Sequence, residues 1–179
     1  MIAYAITDPK VLWEDSTSYI ENLKNADWVL YRDKESSEYA KRAKEFLALF
    51  GNEAPKLLLH QDYRLAKDLG LWGVHLTSKQ FSDIGFVKEL GLFTVISTHS
   101  FEEIALAQKR GADAVTFSPI FATPGKGEPK GVEQLKEAVA AFDIDIIALG
   151  GIIKEDEIAL INETDAAGFA SIRYFVNTF

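Results

Sequence analysis

A closed barrel of eight parallel strands alternating with helices, the (β/α)8 or TIM-barrel class, is the fold this sequence predicts. Three observations carry it: eight short apolar runs, amphipathic stretches of helical period between them, and a recurrence of roughly 20 residues along the chain. The runs are IAYAIT (2–7), WVLY (28–31), KLLLH (56–60), GVHL (73–76), FTVIS (93–97), AVTFS (114–118), DIIAL (145–149) and GFASI (168–172). Most are apolar on successive residues, the pattern of strands covered on both faces. An open doubly wound sheet is the competing architecture, and the count of eight favours the closed barrel.

The chain of 179 residues is read as one domain, 1–179, and is short for a fold that typically takes about 250 residues. Its helices must therefore be compact. STSYIENLKN begins with a capping residue and puts Tyr19, Ile20 and Leu23 on one face. SSEYAKRAKEFLALF carries a capping-box pattern and is expected to stop at Gly51. In SFEEIALAQKRGAD, Ser100 is the expected N-cap, Glu103 follows three residues on, and Gly111 ends the helix. DIGFVKELG allows barely two turns, and after the eighth run only YFVNTF is left for a truncated last helix.

A hydrophobic share of 47% supplies an ordinary core, and 26% charged residues fit a globular domain. The net charge of −8 argues against a nucleic-acid surface but not against a phosphorylated substrate, because a local basic pocket outweighs the global charge at short range. The absence of cysteine excludes disulfides and thiolate chemistry. MIAYAITDPK reads as a first strand, and no apolar stretch approaches the roughly 18 residues needed to span a bilayer, so a cytoplasmic address without membrane contact is expected. A homo-oligomer is compatible with the sequence.

In this barrel class functional residues stand at the C-terminal ends of strands and in the loops that follow. Those ends read Thr7-Asp8, Arg32 with Lys34, His60-Gln61-Asp62, His75, Ser97 with His99, Ser118, Gly150-Gly151 and Arg173. All three histidines fall there, although a lone histidine at a strand end is more often a hydrogen-bonded structural group. Strand alternation puts Arg32 and Lys34 on one face and Asp33 on the other, which reads as an anion site; solvated pairs with Asp33 and Glu35 are the plainer alternative. Gly150 and Gly151 let backbone N–H groups close on a phosphate. The loop PIFATPGKGEPKG places Lys126 between two glycines, as a cation free to fold over a ligand, unless it is an inert surface loop. A metal site on His60, His75 and His99 is a further alternative.

These residues resemble the family of thiamine-phosphate synthase and the related thiazole tautomerase. YAITD, LYRDK, LGLWGVHL, STHSFEEIALAQKRGADAVTFSPIFATPGK and IIALGGI are similar, in strand order, to successive segments of that family. The resemblance implies coupling of a pyrimidine diphosphate to a thiazole phosphate, with release of pyrophosphate and use of Mg²⁺. By position, Arg32, Lys34 and Lys126 would bind the diphosphate, Thr123 would lie in the phosphate loop, and Gly150-Gly151 would hold the thiazole phosphate. Arg173 stands where the family has a phosphate-binding serine. His60, Gln61, His75, Ser97 and His99 complete the expected substrate-binding set. The two Mg²⁺-binding aspartates of the synthase read Gln61 and Gln80, Leu30 replaces a pyrimidine-binding glutamine, and Gly125 replaces a loop threonine. Asp62 lies one residue out of register as a replacement ligand, and Pro119 occupies the place of the tautomerase's catalytic histidine. Glutamine offers a carbonyl oxygen without charge, so an Mg²⁺ site would lack its two charged ligands, and weak coupling activity is expected.

Overall fold

In a computed structural model, which describes residues 1–14, 16–51 and 55–177, the strands follow one another around a ring. They are β1 (Ile2–Ile6), β2 (Trp28–Tyr31), β3 (Lys56–His60), β4 (Gly73–Leu76), β5 (Phe93–Thr98), β6 (Ala114–Phe117), β7 (Asp145–Leu149) and β8 (Gly168–Ser171). Every neighbouring pair is parallel, and β1 pairs with both β2 and β8, which closes the barrel. Each expected run is therefore a strand, with bounds that differ by at most one residue.

The pleat sorts the side chains. Tyr4, Ile6, Trp28, Leu30, Leu58, Val95, Ala114, Ile147 and Ala170 pack together inside the barrel. The residues between them, such as Ala5, Val29, Tyr31 and Leu59, join the larger core beneath the helices. At the N-terminal end of the strands the interior is stoppered by aromatic rings. Trp72 stacks on Phe93 at 4.1 Å, Trp28 meets both, and the Lys56 ammonium lies 4.6 Å above the Trp72 ring.

Short helices fill the crossovers: α1 (Pro9–Glu14), α2 (Ser16–Lys24), α3 (Tyr39–Ala48), α4 (Tyr63–Asp68), α5 (Ile84–Glu89), α6 (Phe101–Arg110), α7 (Gly131–Ala141), α8 (Glu155–Asn162) and α9 (Arg173–Asn177). On α2, Tyr19, Ile20 and Leu23 are buried as expected, but Ser16 is its first residue and not its cap; the position before it lies outside the described residues. Helix α6 has the expected ends: Ser100 Oγ accepts from the Glu103 N–H, and Gly111 takes a left-handed conformation. The Glu103 carboxylate reaches back to the His99 N–H.

The third helix departs from expectation at both ends. It starts at Tyr39 with no side-chain cap and stops at Ala48, short of Gly51. Asp33 accepts from the Glu35 and Ser36 N–H groups, and Ser36 Oγ accepts from the Glu38 N–H. These local bonds hold the segment in turns and take the donors a longer helix would use. Among the described residues no helix is long and apolar enough to cross a membrane.

Candidate functional site at the barrel mouth

The inward positions that continue past the last buried layer open into a cavity of about 500 Å³ at the C-terminal ends of the strands. Arg32, Lys34, His60, His75, Ser97, His99, Thr123, Lys126, Gly150, Gly151 and Arg173 all line it. Leu30 and Arg32, just past the end of the second strand, share a parity, as do Leu58 and His60 on the third and Val95 and Ser97 on the fifth. Thr7 fixes the approach to Arg32: its buried Oγ1 accepts the Arg32 N–H at 3.0 Å. Gln61 is the exception among the expected residues. It is exposed and left-handed (φ 68°), its N–H bonds to the His75 carbonyl, and it does not line the cavity.

Positive charge is concentrated here. The Arg32 guanidinium is the main reason the Lys34 ammonium lies below its ordinary pKa, followed by burial and then by Lys126. Burial lowers Arg32 itself, against the pull of Asp8. Asp8 is the one carboxylate of the described residues that lines the cavity. Burial, then Arg32 and Lys34, hold the His60 imidazole at about 4, so it is neutral at physiological pH. No described residue hydrogen-bonds its ring nitrogens.

The loops after the sixth and seventh strands are clasped. The Ile120 N–H bonds to the Leu149 carbonyl and the Phe121 N–H to the Gly150 carbonyl. Gly150 (φ 104°) and Gly151 (φ 70°) are both left-handed. A Cβ on Gly151 would come within 2.7 Å of the Ala122 carbonyl oxygen. Among the described residues neither glycine N–H has a protein acceptor, so both are available to a ligand oxygen. Thr123 stands beside them, its hydroxyl donating to the Phe121 carbonyl.

A basic barrel mouth with glycine amides suits a phosphorylated ligand, and family comparison sharpens this. The profile described as thiamine monophosphate synthase matches residues 3–175. The chain belongs to the thiamine monophosphate synthase family. It is 34% identical over 181 residues to a protein of Aquifex aeolicus described as putative thiamine-phosphate synthase 2, covering 97% of this chain and 96% of that one. It is 32% identical to the thiamine-phosphate synthase of Nitrosococcus oceani, covering 94% and 82%. The solved thiamine phosphate pyrophosphorylase of Pyrococcus furiosus superposes with a TM-score of 0.81 at 27% identity, over 96% of this chain and 85% of that one.

Within this synthase family fold, the residues present do not fit an Mg²⁺ site. Gln80 turns its Oε1 to the Thr77 N–H and its amide toward Asp83, and Gln61 stands outside the cavity. Asp62 does not take up the ligand role either, because its carboxylate caps α4 by accepting the Leu65 N–H at 2.9 Å. Nor do the three histidines form a metal cluster. Both ring nitrogens of His75 face protein hydroxyls, of Tyr4 and Ser97, and His99 Nδ1 faces Ser118.

Tyr4 escaped the sequence reading. It is fully buried, and its hydroxyl lies 2.9 Å from His75 Nδ1. The available signal was its parity: two residues before Ile6 on an inward-facing run, it shares the barrel interior with a histidine that needs partners.

Proposed function

We propose that this chain is a thiamine-phosphate-synthase-like protein that binds a phosphorylated precursor or product of thiamine in the barrel mouth and couples pyrimidine diphosphate to thiazole phosphate only slowly. The observation that carries this reading is the grouping of Arg32, Lys34 and Lys126 on one cavity with the free Gly150 and Gly151 amides, in a protein of net charge −8. Three cations would hold a diphosphate at one side of the mouth, and the glycine amides a monophosphate at the other.

In the coupling the pyrimidine methylene carbon loses its diphosphate, which leaves with the C–O bonding electrons, and the thiazole nitrogen supplies the pair for the new C–N bond. The chain's contribution is to place the two partners and neutralise the departing oxygens with fixed cations. With one cavity carboxylate, Asp8, in place of a ligand pair, that neutralisation rests on the fixed cations of the cavity, Arg32, Lys34 and Lys126 foremost. A second reading, favoured by that same shortage of carboxylates, is a non-coupling family member that binds the phosphorylated compound in a salvage or regulatory role.

The test is pyrophosphate release with both precursors at saturating Mg²⁺, run beside calorimetric titration with thiamine phosphate. Binding with turnover well below ~1 s⁻¹ supports the first reading, and binding with no turnover supports the second. Turnover of ~1 s⁻¹ or more overturns the expectation of slow coupling. Absence of binding overturns both.

A further inference from the structure

Beneath the cavity runs a chain of three side chains that the charge argument leaves unexplained. The Tyr4 hydroxyl lies 2.9 Å from His75 Nδ1, and His75 Nε2 lies 3.0 Å from Ser97 Oγ. Tyr4 is fully buried, His75 nearly so, and Ser97 lines the cavity. The direction of each bond follows from counting protons. Among the described residues the Tyr4 hydroxyl has His75 as its sole hydrogen-bond partner. If it accepted from Nδ1–H, its own proton would be left buried without an acceptor, at a free-energy cost that native structures avoid. Tyr4 therefore donates to Nδ1, and a neutral imidazole then carries its proton on Nε2.

That proton points to Ser97 Oγ, with Thr116 Oγ1 a distant second at 3.5 Å. Burial keeps the ring neutral, at about 3, which leaves one proton for its two nitrogens. Ser97 Oγ, having accepted, keeps its hydrogen for the cavity. The opposite arrangement, in which Ser97 donates to the imidazole as an activated nucleophile would, strands the Tyr4 proton. The group left short in the favoured arrangement is the Thr116 hydroxyl, whose contact with the ring is the longest of the three.

We propose that Tyr4 is a positioning residue which, through His75, fixes the Ser97 hydroxyl as a hydrogen-bond donor to an acceptor atom of the ligand in the barrel mouth. This rests on the reading of the cavity as a phosphorylated-ligand site. It assigns Ser97 to recognition instead of nucleophilic attack, and it explains why a phenol is buried under a polar cavity where phenylalanine would pack as well.

The experiment combines nitrogen-15 NMR of the histidine rings with calorimetric titration of thiamine phosphate and of inorganic pyrophosphate. Wild-type protein, Tyr4→Phe, Ser97→Ala and the double variant are compared, with thermal unfolding recorded for each. The expected results are an Nε2–H tautomer for His75 in the wild type and loss of that fixed tautomer in Tyr4→Phe. Affinity should fall about three- to tenfold in either single variant, with no further fall in the double, because both changes remove one hydrogen bond. A loss shared by both probes assigns the acceptor to a phosphoryl oxygen, and one confined to thiamine phosphate assigns it to the heteroaromatic part.

An Nδ1–H tautomer in the wild type overturns the inference and needs no variant to fold. So does unchanged affinity in Tyr4→Phe while the wild type binds, or losses that multiply in the double variant. Failure of the wild type to bind either probe overturns the phosphorylated-ligand reading itself, and the role of Ser97 with it.

Discussion

Gly150 and Pro119 hold the loops after the sixth and seventh strands against each other: a Cβ on Gly150 would come within 2.9 Å of the Pro119 Cα. The contact leaves no room for a side chain and sets the Gly150–Gly151 amides at the cavity wall. Gly151→Ala meets backbone at 2.7 Å and a left-handed conformation together. A destabilisation of about 1–3 kcal/mol is expected, with weakened binding of thiamine phosphate. Thermal unfolding and titration calorimetry measure the two effects. An unchanged melting temperature would show that the loops are not clasped as described.

The crowding of Lys34 by Arg32 and Lys126 predicts opposite effects on stability and binding. Lys34→Met is expected to leave thermal stability unchanged or slightly higher, since its charge is already disfavoured in the folded state. Affinity for inorganic pyrophosphate should drop roughly tenfold or more, as for loss of a charge-assisted hydrogen bond. The salt dependence of binding should also become shallower. Equal affinity in the variant would remove Lys34 from the anion site.

His60 and His75 make acid destabilising. Their folded values, about 4 and about 3, lie below the ordinary 6.5. Between those limits the unfolded chain binds protons that the folded one refuses, so stability falls as pH drops from about 6.5 toward 4. Each group contributes a slope of at most about 1.4 kcal/mol per pH unit. Urea unfolding at pH 7 and pH 5 should show a smaller loss for His60→Asn than for the wild type. Identical losses would place His60 in water.

Asp62 is expected to behave as a helix cap and nothing more. Asp62→Ala removes the acceptor of the Leu65 N–H and should cost about 1 kcal/mol, while pyrophosphate affinity stays within about twofold of wild type. A large loss of affinity in a stably folded variant would return Asp62 to the ligand site.

Legibility in the sequence follows the range of the forces. The eight strands could be read because burial on both faces leaves a continuous apolar run, and the ring of cavity residues followed from reading the polar groups at the C-terminal ends of those runs. Arg32 and Lys34 were found from strand alternation, although both lie beyond the end of the second strand. The start of α3 was misread because the competing hydrogen bonds of Asp33 and Ser36 are side-chain choices that the helical pattern does not encode. Gln61 was expected in the site because it stands where the synthase family has a metal-binding aspartate, yet a left-handed turn carries it out of the cavity. The Tyr4–His75 bond joins residues 71 apart in the chain, and no local rule announces it.

The aromatic stopper of Trp28, Trp72 and Phe93 makes the barrel a cul-de-sac. A vessel with one opening fills from the floor upward and empties from the rim downward. Two ligands sharing it would have to enter and leave through the same rim, above Leu30 and Ala170. Excess of either would then obstruct the traffic of the other, so occupancy by one ligand would slow the exchange of its companion.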